Sequence, residues 1–341
     1  MEQHKSFLTF ETKITLDSKK KDMLKKQRDI LRTDIKKGFT AQGYNQPQFA
    51  MQGSFSLKTS LNPLTDKEGN KQEIDIDDGV YIKVDNDNSE NWISPKDAHD
   101  IVYNAVNKNG RKVEDNDPCI RVVYSKDYHV DLPVYIMYTD IYGKTQVRYG
   151  RKDYKEWINR DPKFFKDWFY KSISNDNEQL RRLVKYLKAW KDNRLIQNKE
   201  SKGLGGFQLT VIAEKYQYKC ESDEECFYHT VKKINEALQN NQIPPLYNLS
   251  DTNYPKENVL ERYSDARIKK FKDNFKKLYN DAYHAFIETD IEKSSELWKN
   301  IFGDRFPMSE NSSKKSENSL DLGVPYSMKN SESRGGSGKY A

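Results

Sequence analysis

The stretch Ile74-Asp75-Ile76-Asp77 sets two carboxylates at alternate positions of an otherwise apolar run. In a β-strand, residues two apart point to the same face of the sheet, so Asp75 and Asp77 stand side by side. Two close carboxylates repel each other unless a proton or a cation lies between them. Mg²⁺ meets that need, since it commonly binds one or two carboxylates together with substrate phosphates. The pattern predicts a strand over residues 73–84 that carries a metal site.

A short turn, Gly53-Ser54, lies twenty-one residues upstream of Asp75. Glycine has no Cβ, so the backbone N–H groups of such a turn can approach a phosphate closely. Asp78 follows the acidic pair directly and is expected on the opposite face of the strand, away from a ligand. The turn and the pair together predict a site for a nucleotide triphosphate and its metal.

A third carboxylate, Asp131, lies in a strand-like run over residues 128–138, 54 residues beyond Asp77. That separation is long enough for the run to return as a neighbouring strand. Three carboxylates on adjacent strands can hold two Mg²⁺ ions, the arrangement used for in-line displacement at phosphorus. One ion would lower the pKa of an attacking hydroxyl, and the other would hold the triphosphate and its pyrophosphate leaving group. Taken alone, the pair on residues 75–77 also fits a half-exposed edge strand.

The composition is that of a polar chain that can fold. Of 341 residues, 35% are apolar and 12% aromatic, which supports a sizeable core and argues against disorder. The net charge of +6 is a mild excess that indicates only tolerance of anionic ligands such as nucleotides. The three cysteines follow neither a disulfide framework nor a zinc spacing. Since no signal peptide or membrane span is recognisable, we expect a soluble, cytoplasmic protein.

Apolar periodicity predicts an α+β chain with two lobes. In the first half we expect a helix over residues 17–39, capped by Asp17 or Ser18, and two strands, 119–124 and 128–138, joined by a hairpin-length loop over residues 125–127. The second half predicts helices over residues 161–172, 176–193, 205–218, 223–240, 259–286 and 291–302. We therefore expect a catalytic lobe over 1–150, a helical lobe over 151–303 and a flexible tail over 304–341, with ligands bound in the cleft between the lobes.

The constellation resembles the DNA polymerase β-like nucleotidyltransferase superfamily, whose signature is a Gly-Ser turn, a strand with two alternating acidic residues and a third acidic residue on a later strand. Within it the chain is most similar to the bacterial cyclic GMP–AMP synthase-like enzymes, the CD-NTases. The match rests on the stretches Met51–Phe55, Ile74–Tyr81 and His129–Tyr135. The resemblance reaches from about residue 10 to 303 and implies a two-lobed nucleotidyltransferase fold: a mixed β-sheet with a long N-terminal helix, and a helical lobe.

The resemblance implies metal-binding and nucleotide-binding roles for individual residues of this chain. It implies that two Mg²⁺ ions, with Mn²⁺ as a possible substitute, are bound by Asp75, Asp77 and Asp131. The donor triphosphate would be contacted by Gln52, Gly53 and Ser54. His129 shares a face with Asp131 and is interpreted as structural.

Three further residues are assigned on the same basis. Lys185, on a predicted helix, matches a lysine that reaches a phosphate, and Arg121 matches an arginine that contacts the acceptor nucleotide. Phe207 matches an aromatic residue that stacks on a base, but Gly206 stands where the family commonly has serine, so that hydroxyl contact is missing. Alternatively, Lys185 is a solvated lysine, Arg121 is paired across the sheet, and Phe207 belongs to the core.

The implied activity is the joining of two or three nucleotides, with ATP and GTP expected, through 3′-hydroxyl attack on an α-phosphate. By resemblance the product is a cyclic antiphage second messenger of a CBASS operon. In some such operons a ubiquitin-like conjugation machinery acts on the enzyme's C-terminus, and the tail ending in residues 338–341 suits that role or a plain disordered tail. The chain lacks the zinc motif of the animal DNA-sensing relatives, so direct activation by DNA is not implied. The alternatives are template-independent transfer to RNA or a small molecule, and a catalytically silent nucleotide-binding scaffold.

Overall fold

The computed structural model describes residues 2–309 except 67, 70, 86–87, 109, 125–127, 174–177, 198–203, 241–259 and 261–262. The loop over residues 125–127 and most of the predicted tail, residues 310–341, therefore lie outside the described residues. Within the described part of the chain, no helix is long and apolar enough to cross a membrane.

A mixed β-sheet forms the core of the first half. Its strands are β1 (Gln48–Met51), β2 (Ile74–Lys83), β3 (Lys112–Asn116), β4 (Cys119–Val123), β5 (Tyr128–Leu132), β6 (Val134–Thr139), β7 (Thr145–Gly150) and β8 (Ile158–Asn159). Strand β2 pairs antiparallel with β1 and parallel with both β5 and β6. Antiparallel pairing extends the sheet from β5 through β4 to β3, and from β6 through β7 to β8. The predicted acidic strand is thus flanked by other strands rather than lying at an edge.

The run predicted as one strand over residues 128–138 is divided at Pro133. Ile74 pairs with Tyr128 and Val80 with Val134, so the same offset of 54 residues holds along β5 and β6. Proline has no backbone N–H and interrupts the ladder there, although its carbonyl still accepts from Val80 N at 2.9 Å. The prediction that Asp131 returns beside the acidic pair on a neighbouring strand is confirmed by this register.

Ten α-helices are assigned among the described residues. They are α1 (Glu2–Ile14), α2 (Ser18–Ala41), α3 (Gly53–Ser56), α4 (Pro95–Val106), α5 (Pro162–Ile173), α6 (Glu178–Asp192), α7 (Gly206–Tyr216), α8 (Asp223–Gln239), α9 (Asp265–Ile287) and α10 (Ile291–Phe302). Asp17 caps α2 by accepting a hydrogen bond of 2.8 Å from a first-turn N–H, as one of the two predicted caps. The predicted helices of the second half are present, with ends that differ by at most two residues except that α9 begins at Asp265. Residues 176–177 and 259, where two of these helices were predicted to begin, lie outside the described residues.

Two separate apolar cores hold the elements together. One lies between the sheet and helices α2 and α4, and the other lies among the helices of the second half. Helix α1, which the sequence analysis did not predict, places Phe7, Phe10 and Ile14 in the helical core. Phe306 also packs there, so residues 304–309 are fixed against the helical lobe rather than belonging to a flexible tail. The boundary at residue 150 remains a prediction.

Candidate active site

A cleft of about 1100 Å³ lies between the sheet and the helical half. Its walls combine residues that are far apart in the sequence. From the first half come Gln52, Gly53, Ser54, Asp75, Asp77, Tyr81 and Tyr135, and from the second half come residues 160–167 with Lys188, Lys191, Gly206 and Phe207. The predicted cleft between two lobes is therefore present.

The acidic residues meet at one point of the sheet. Asp77 is the direct register partner of Asp131, and Asp75 is that of His129. Burial, with the charges of Asp131 and Asp75, raises the pKa of Asp77 to about 7. A carboxylate whose ionisation is opposed in this way is stabilised by a bound cation. The donor set therefore fits a hard divalent metal, which prefers carboxylate oxygens.

Two basic side chains of the protein already engage this acidic group. Arg121 donates two hydrogen bonds of 2.8 Å to the two carboxylate oxygens of Asp131. His129 Nε2 lies 2.9 Å from Asp75 Oδ1. Burial opposes the charge on His129, but the contact with Asp75 and the charges of Asp75 and Asp131 together outweigh it and raise the pKa of His129. As they stand, no three metal-ligating side chains among the described residues are arranged to hold an ion, which we attribute to these two contacts.

Asp78 faces the other way, as predicted. It is fully buried and pairs with Arg32 of α2, whose guanidinium donates hydrogen bonds of 2.7 and 2.5 Å to its two oxygens. This ion pair ties α2 to the back of β2. Asp78 is thereby separated from the cleft and has a structural role.

Gly53 approaches the acidic group more closely than any other residue type could. Its φ is +59°, in the left-handed region that favours glycine. A Cβ at this position would lie 2.0 Å from Asp77 Oδ2, which is a severe overlap. The backbone N–H of Gln52 also donates to Asp77 O at 2.9 Å. The Gly-Ser turn is therefore built directly against the acidic strand.

The Gln52 side chain is held by two tyrosines of the cleft wall. Tyr135 OH donates to Gln52 Oε1 at 3.0 Å, and Gln52 Nε2 donates to Tyr81 OH at 2.9 Å. The two rings stack with centroids 4.7 Å apart. A Cβ at Gly79 would lie 2.1 Å from Gln52 Nε2, so glycine is needed there too. Neither tyrosine was predicted as a site residue from the sequence, because their meeting depends on the β2–β6 register.

Lys185, the predicted phosphate contact, is not brought to the cleft. Its side chain is buried and bonds to Glu11 and, at 2.9 Å, to Thr15 Oγ1, which lie in and beside α1. Lys188, three residues further along α6, lines the cleft instead and donates to Thr59 O at 2.8 Å. Burial and the charge of Lys191 lower the pKa of Lys188 to about 8, against the effect of the nearby carboxylates. Lys185 does not reach the cleft because α1 covers the face of α6 that carries it.

The remaining predicted residues divide between the cleft and its margin. Phe207 lines the cleft and packs on Phe165 with ring centroids 4.6 Å apart. Gly206 begins α7 beside Lys188, and a Cβ there would lie 3.2 Å from Lys188 Cε. Arg121 is paired across the sheet with Asp131, as the alternative interpretation expected, and stands at the edge of the acidic group rather than in the cleft wall.

Comparison with known proteins identifies the nucleotidyltransferase region. Residues 47–135 match the family described as cyclic GMP-AMP synthase DncV-like, nucleotidyltransferase domain. A cyclic GMP-AMP synthase from Escherichia albertii is 26% identical over 290 residues, which cover 82% of this chain and 59% of that enzyme. A cyclic AMP-AMP-AMP synthase from an Acinetobacter species is 27% identical over 276 residues, 80% of this chain and 76% of the relative. The chain thus spans less than two thirds of the length of the Escherichia albertii enzyme.

Solved structures agree on the fold. Vibrio cholerae DncV cyclic AMP-GMP synthase superimposes with a TM-score of 0.70 at 18% identity, covering 87% of this chain and 93% of that one. The Escherichia coli DncV form with bound 3′-deoxy GTP gives 0.69 at 20% identity, covering 86% and 93%. The fold and the acidic strands thus define a two-lobed α+β nucleotidyltransferase. Within that class, the chain is similar to bacterial cyclic oligonucleotide synthases, through the family match over residues 47–135 and the curated relatives.

Proposed function

We propose that this chain synthesises a cyclic di- or trinucleotide from nucleoside triphosphates, with ATP and GTP as the expected substrates. The observation that carries the proposal is the direct pairing of Asp77 with Asp131, beside Asp75 and against the turn at Gly53. Relatives named cyclic GMP-AMP synthase and cyclic AMP-AMP-AMP synthase support a cyclic product. A Vibrio cholerae DncV variant of the same fold binds ATP and GTP.

The cleft suggests how a donor nucleotide is held. Gly53 and Ser54 would contact its triphosphate, with Lys188 and Lys191 supplying positive charge from the facing helix. Phe207 would stack on its base. Lys188 replaces Lys185 in this assignment because its ammonium is the one in the cleft. A lysine is a compact point charge on a flexible stem, which suits contact with a phosphate.

The acceptor nucleotide would approach from the side of Arg121, with its 3′-hydroxyl directed at the donor α-phosphate. The O3′–P bond forms as the bond from the α-phosphorus to the bridging oxygen breaks, and pyrophosphate leaves. The hydroxyl proton passes to a carboxylate of the acidic group. A second transfer closes a dinucleotide ring, and a third closes a trinucleotide ring. The chain's own contribution is chiefly positioning and charge.

Asp75, Asp77 and Asp131 would hold the divalent ions, Mg²⁺ or in its place Mn²⁺. Burial, together with the charges of Asp131 and Asp75, opposes the ionisation of Asp77, and this supports that assignment. When bound, such ions neutralise charge on the transferring phosphate and lower the pKa of the attacking hydroxyl. Arg121 and His129 would compete with such ions for the charge of Asp131 and Asp75.

Incubation with labelled ATP and GTP, in Mg²⁺ or Mn²⁺, tests the proposal. A small product that resists phosphatase supports cyclisation. Elongation of added RNA, or labelling of a small-molecule acceptor, would instead support template-independent transfer. Nucleotide binding without turnover across activators would support a silent scaffold, although a scaffold has no need for three repelling carboxylates.

The wider role follows from the family. An enzyme that converts ATP and GTP into a signalling nucleotide is suited to a cytoplasmic location and to a CBASS antiphage operon. Conjugation of the C-terminus by a ubiquitin-like machinery is part of this proposal. The segment it concerns, residues 310–341, lies outside the described residues.

A further inference from the structure

Three side chains of the helical lobe donate hydrogen bonds to the backbone that follows the Gly53-Ser54 turn. Tyr170 OH donates to Ser56 O at 2.9 Å, Arg181 Nε to Leu57 O at 3.0 Å, and Lys188 Nζ to Thr59 O at 2.8 Å. The donors come from α5 and α6, and the acceptors are carbonyls of one four-residue segment, residues 56–59. We call this segment the clamped segment.

The clamped segment is joined rigidly to the turn. Thr59 N donates to Ser54 O at 2.9 Å, and Leu57 N donates to Gly53 O at 3.2 Å. The hydroxyl groups of Ser54 and Ser60 lie 3.0 Å apart. A shift of the clamped segment would therefore be passed directly to Gly53 and Ser54.

The Leu57 side chain anchors the clamped segment further. It is 3% exposed and belongs to the apolar core of the helical lobe, although its backbone lies in the first half of the chain. Lys58, next in the chain, has a φ of +58°, a conformation that non-glycine residues adopt at a cost. That backbone is maintained only where surrounding contacts hold it.

Arg181 is placed for the clamp and not for substrate. The residue is 6% exposed, and its guanidinium lies 5.8 Å from the Tyr170 ring centroid. A buried guanidinium is costly unless its donors are used, and here Nε is used by a backbone carbonyl and Nη1 by Glu178. Neither Tyr170 nor Arg181 is among the described residues that line the cleft.

We propose that Tyr170 and Arg181 are positioning residues that set the Gly53-Ser54 turn for the donor triphosphate. The helical lobe thus controls donor binding through the backbone of the clamped segment, without touching the nucleotide through these two side chains. Lys188 both holds the clamped segment and faces the nucleotide site, since it donates a hydrogen bond to Thr59 O and also lines the cleft. The inference rests on the proposed function in one respect: it takes the ligand of the turn to be a nucleoside triphosphate.

Each variant that tests it removes one hydrogen bond to the clamped segment. Arg181→Met keeps the aliphatic stem, and Tyr170→Phe removes only a hydroxyl. The matched control is Arg182→Met on the same helix, because Arg182 bonds to buried Asp223 and makes no contact with the clamped segment. Arg181→Lys, which retains a donor, is expected to restore part of the loss.

Two measurements are made on the full chain. Amide hydrogen exchange over residues 53–60, without nucleotide, is expected to be about tenfold faster in Arg181→Met and Tyr170→Phe, the size expected for one buried hydrogen bond. Affinity for a non-hydrolysable ATP analogue in Mg²⁺ is expected to fall about tenfold in the same variants. Arg182→Met is expected to lower the Tm yet leave both readouts near wild type.

The proposal would be overturned if both variants exchanged at the wild-type rate over residues 53–60. It would also be overturned if Arg182→Met changed exchange and affinity as much as Arg181→Met does. The exchange measurement needs no nucleotide and so reports the clamp alone. Failure of the proposed function would instead appear as a wild-type chain that makes no cyclic product. The two failures are therefore distinguishable.

Discussion

Arg121 neutralises Asp131 through two hydrogen bonds of 2.8 Å, at the carboxylate directly opposite Asp77. The protein's own cation thus occupies a position that the proposed activity assigns to a metal. Strand pairing enforces the contact, since Arg121 and Asp131 are register partners on β4 and β5. A metal ion bound at Asp131 would therefore be opposed by the charge of a neighbouring guanidinium.

Replacement of Arg121 is therefore expected to strengthen metal binding in the absence of nucleotide. In Arg121→Gln the charge of Asp131 is no longer compensated, and the affinity for Mn²⁺ should rise about tenfold, because a neighbouring cation disfavours a second one. Electron paramagnetic resonance of Mn²⁺ measures this directly. Arg151→Gln is the control, because Arg151 pairs with Asp153 outside the acidic group. Equal or weaker Mn²⁺ binding in Arg121→Gln would contradict the expectation.

Lys185 and Lys188 of α6 are expected to affect different properties, the first stability and the second nucleotide binding. Lys188→Met should weaken ATP binding about tenfold or more, because it removes a positive charge from the cleft. Lys185→Met should leave ATP affinity near wild type but lower the free energy of unfolding by about 1–3 kcal/mol, since Glu11 loses its buried partner. Thermal unfolding and ATP titration on both variants measure the difference. The reverse pattern would restore Lys185 as the phosphate contact.

Gly53→Ala is expected to reduce turnover by at least about 100-fold. The added Cβ would overlap Asp77 Oδ2 at 2.0 Å, and φ is +59°, so the turn and the acidic strand cannot both keep their places. Gly143→Ala is the matched control: its φ is +74°, but the Cβ would meet no atom within 4 Å. The control should lose only about 1 kcal/mol of stability and retain turnover. Similar turnover in the two variants would show that the close approach at Gly53 has no functional role.

The ionisation of Glu224 is expected to make the stability of the helical lobe depend on pH. Burial raises its pKa to about 7, against a hydrogen bond of 2.8 Å from Trp298 Nε1. A carboxyl group with a raised folded-state pKa favours folding when protonated, so its contribution is full below pH 4.5 and is lost as the pH rises to about 7. The loss amounts to about 3 kcal/mol from the linkage relation.

The variant that checks this is Glu224→Gln, which keeps an acceptor for Trp298 and removes the ionisation. Its Tm is expected to exceed that of the wild type at pH 8 and to equal it near pH 4.5. Thermal unfolding scans over this pH range measure the effect. Parallel Tm curves for the two proteins would show that Glu224 does not ionise in this range.

The parts of the site that could be predicted from the sequence are those with a recognisable pattern within a few consecutive residues. Alternation in the acidic stretch placed Asp75 and Asp77 on one face and Asp78 on the other, because the side-chain period of a strand is two. The same kind of signal was available for α1, where Phe7, Phe10 and Ile14 recur at helical spacing, although the sequence analysis did not use it.

What could not be predicted depends on tertiary packing. Lys185 and Lys188 lie less than one turn apart on α6, and only the position of α1 determines which of them reaches the cleft. The hydrogen bonds of Gln52 to Tyr81 and Tyr135 likewise depend on the pairing of β2 with β6. Long-range register of this kind has no signature within a short window of sequence.

Mass spectrometry of the products shows whether the acidic group makes a cyclic oligonucleotide. Wild type and Asp77→Asn are incubated with ATP, GTP and Mg²⁺ or Mn²⁺, and the products are digested with linkage-specific nucleases. The wild type is expected to make a phosphatase-resistant cyclic di- or trinucleotide. Asp77→Asn is expected to make at least about a thousandfold less, because the neutral amide is a poor ligand for a hard cation. Undiminished product from Asp77→Asn, or only linear products from the wild type, would rule out this role of the acidic group.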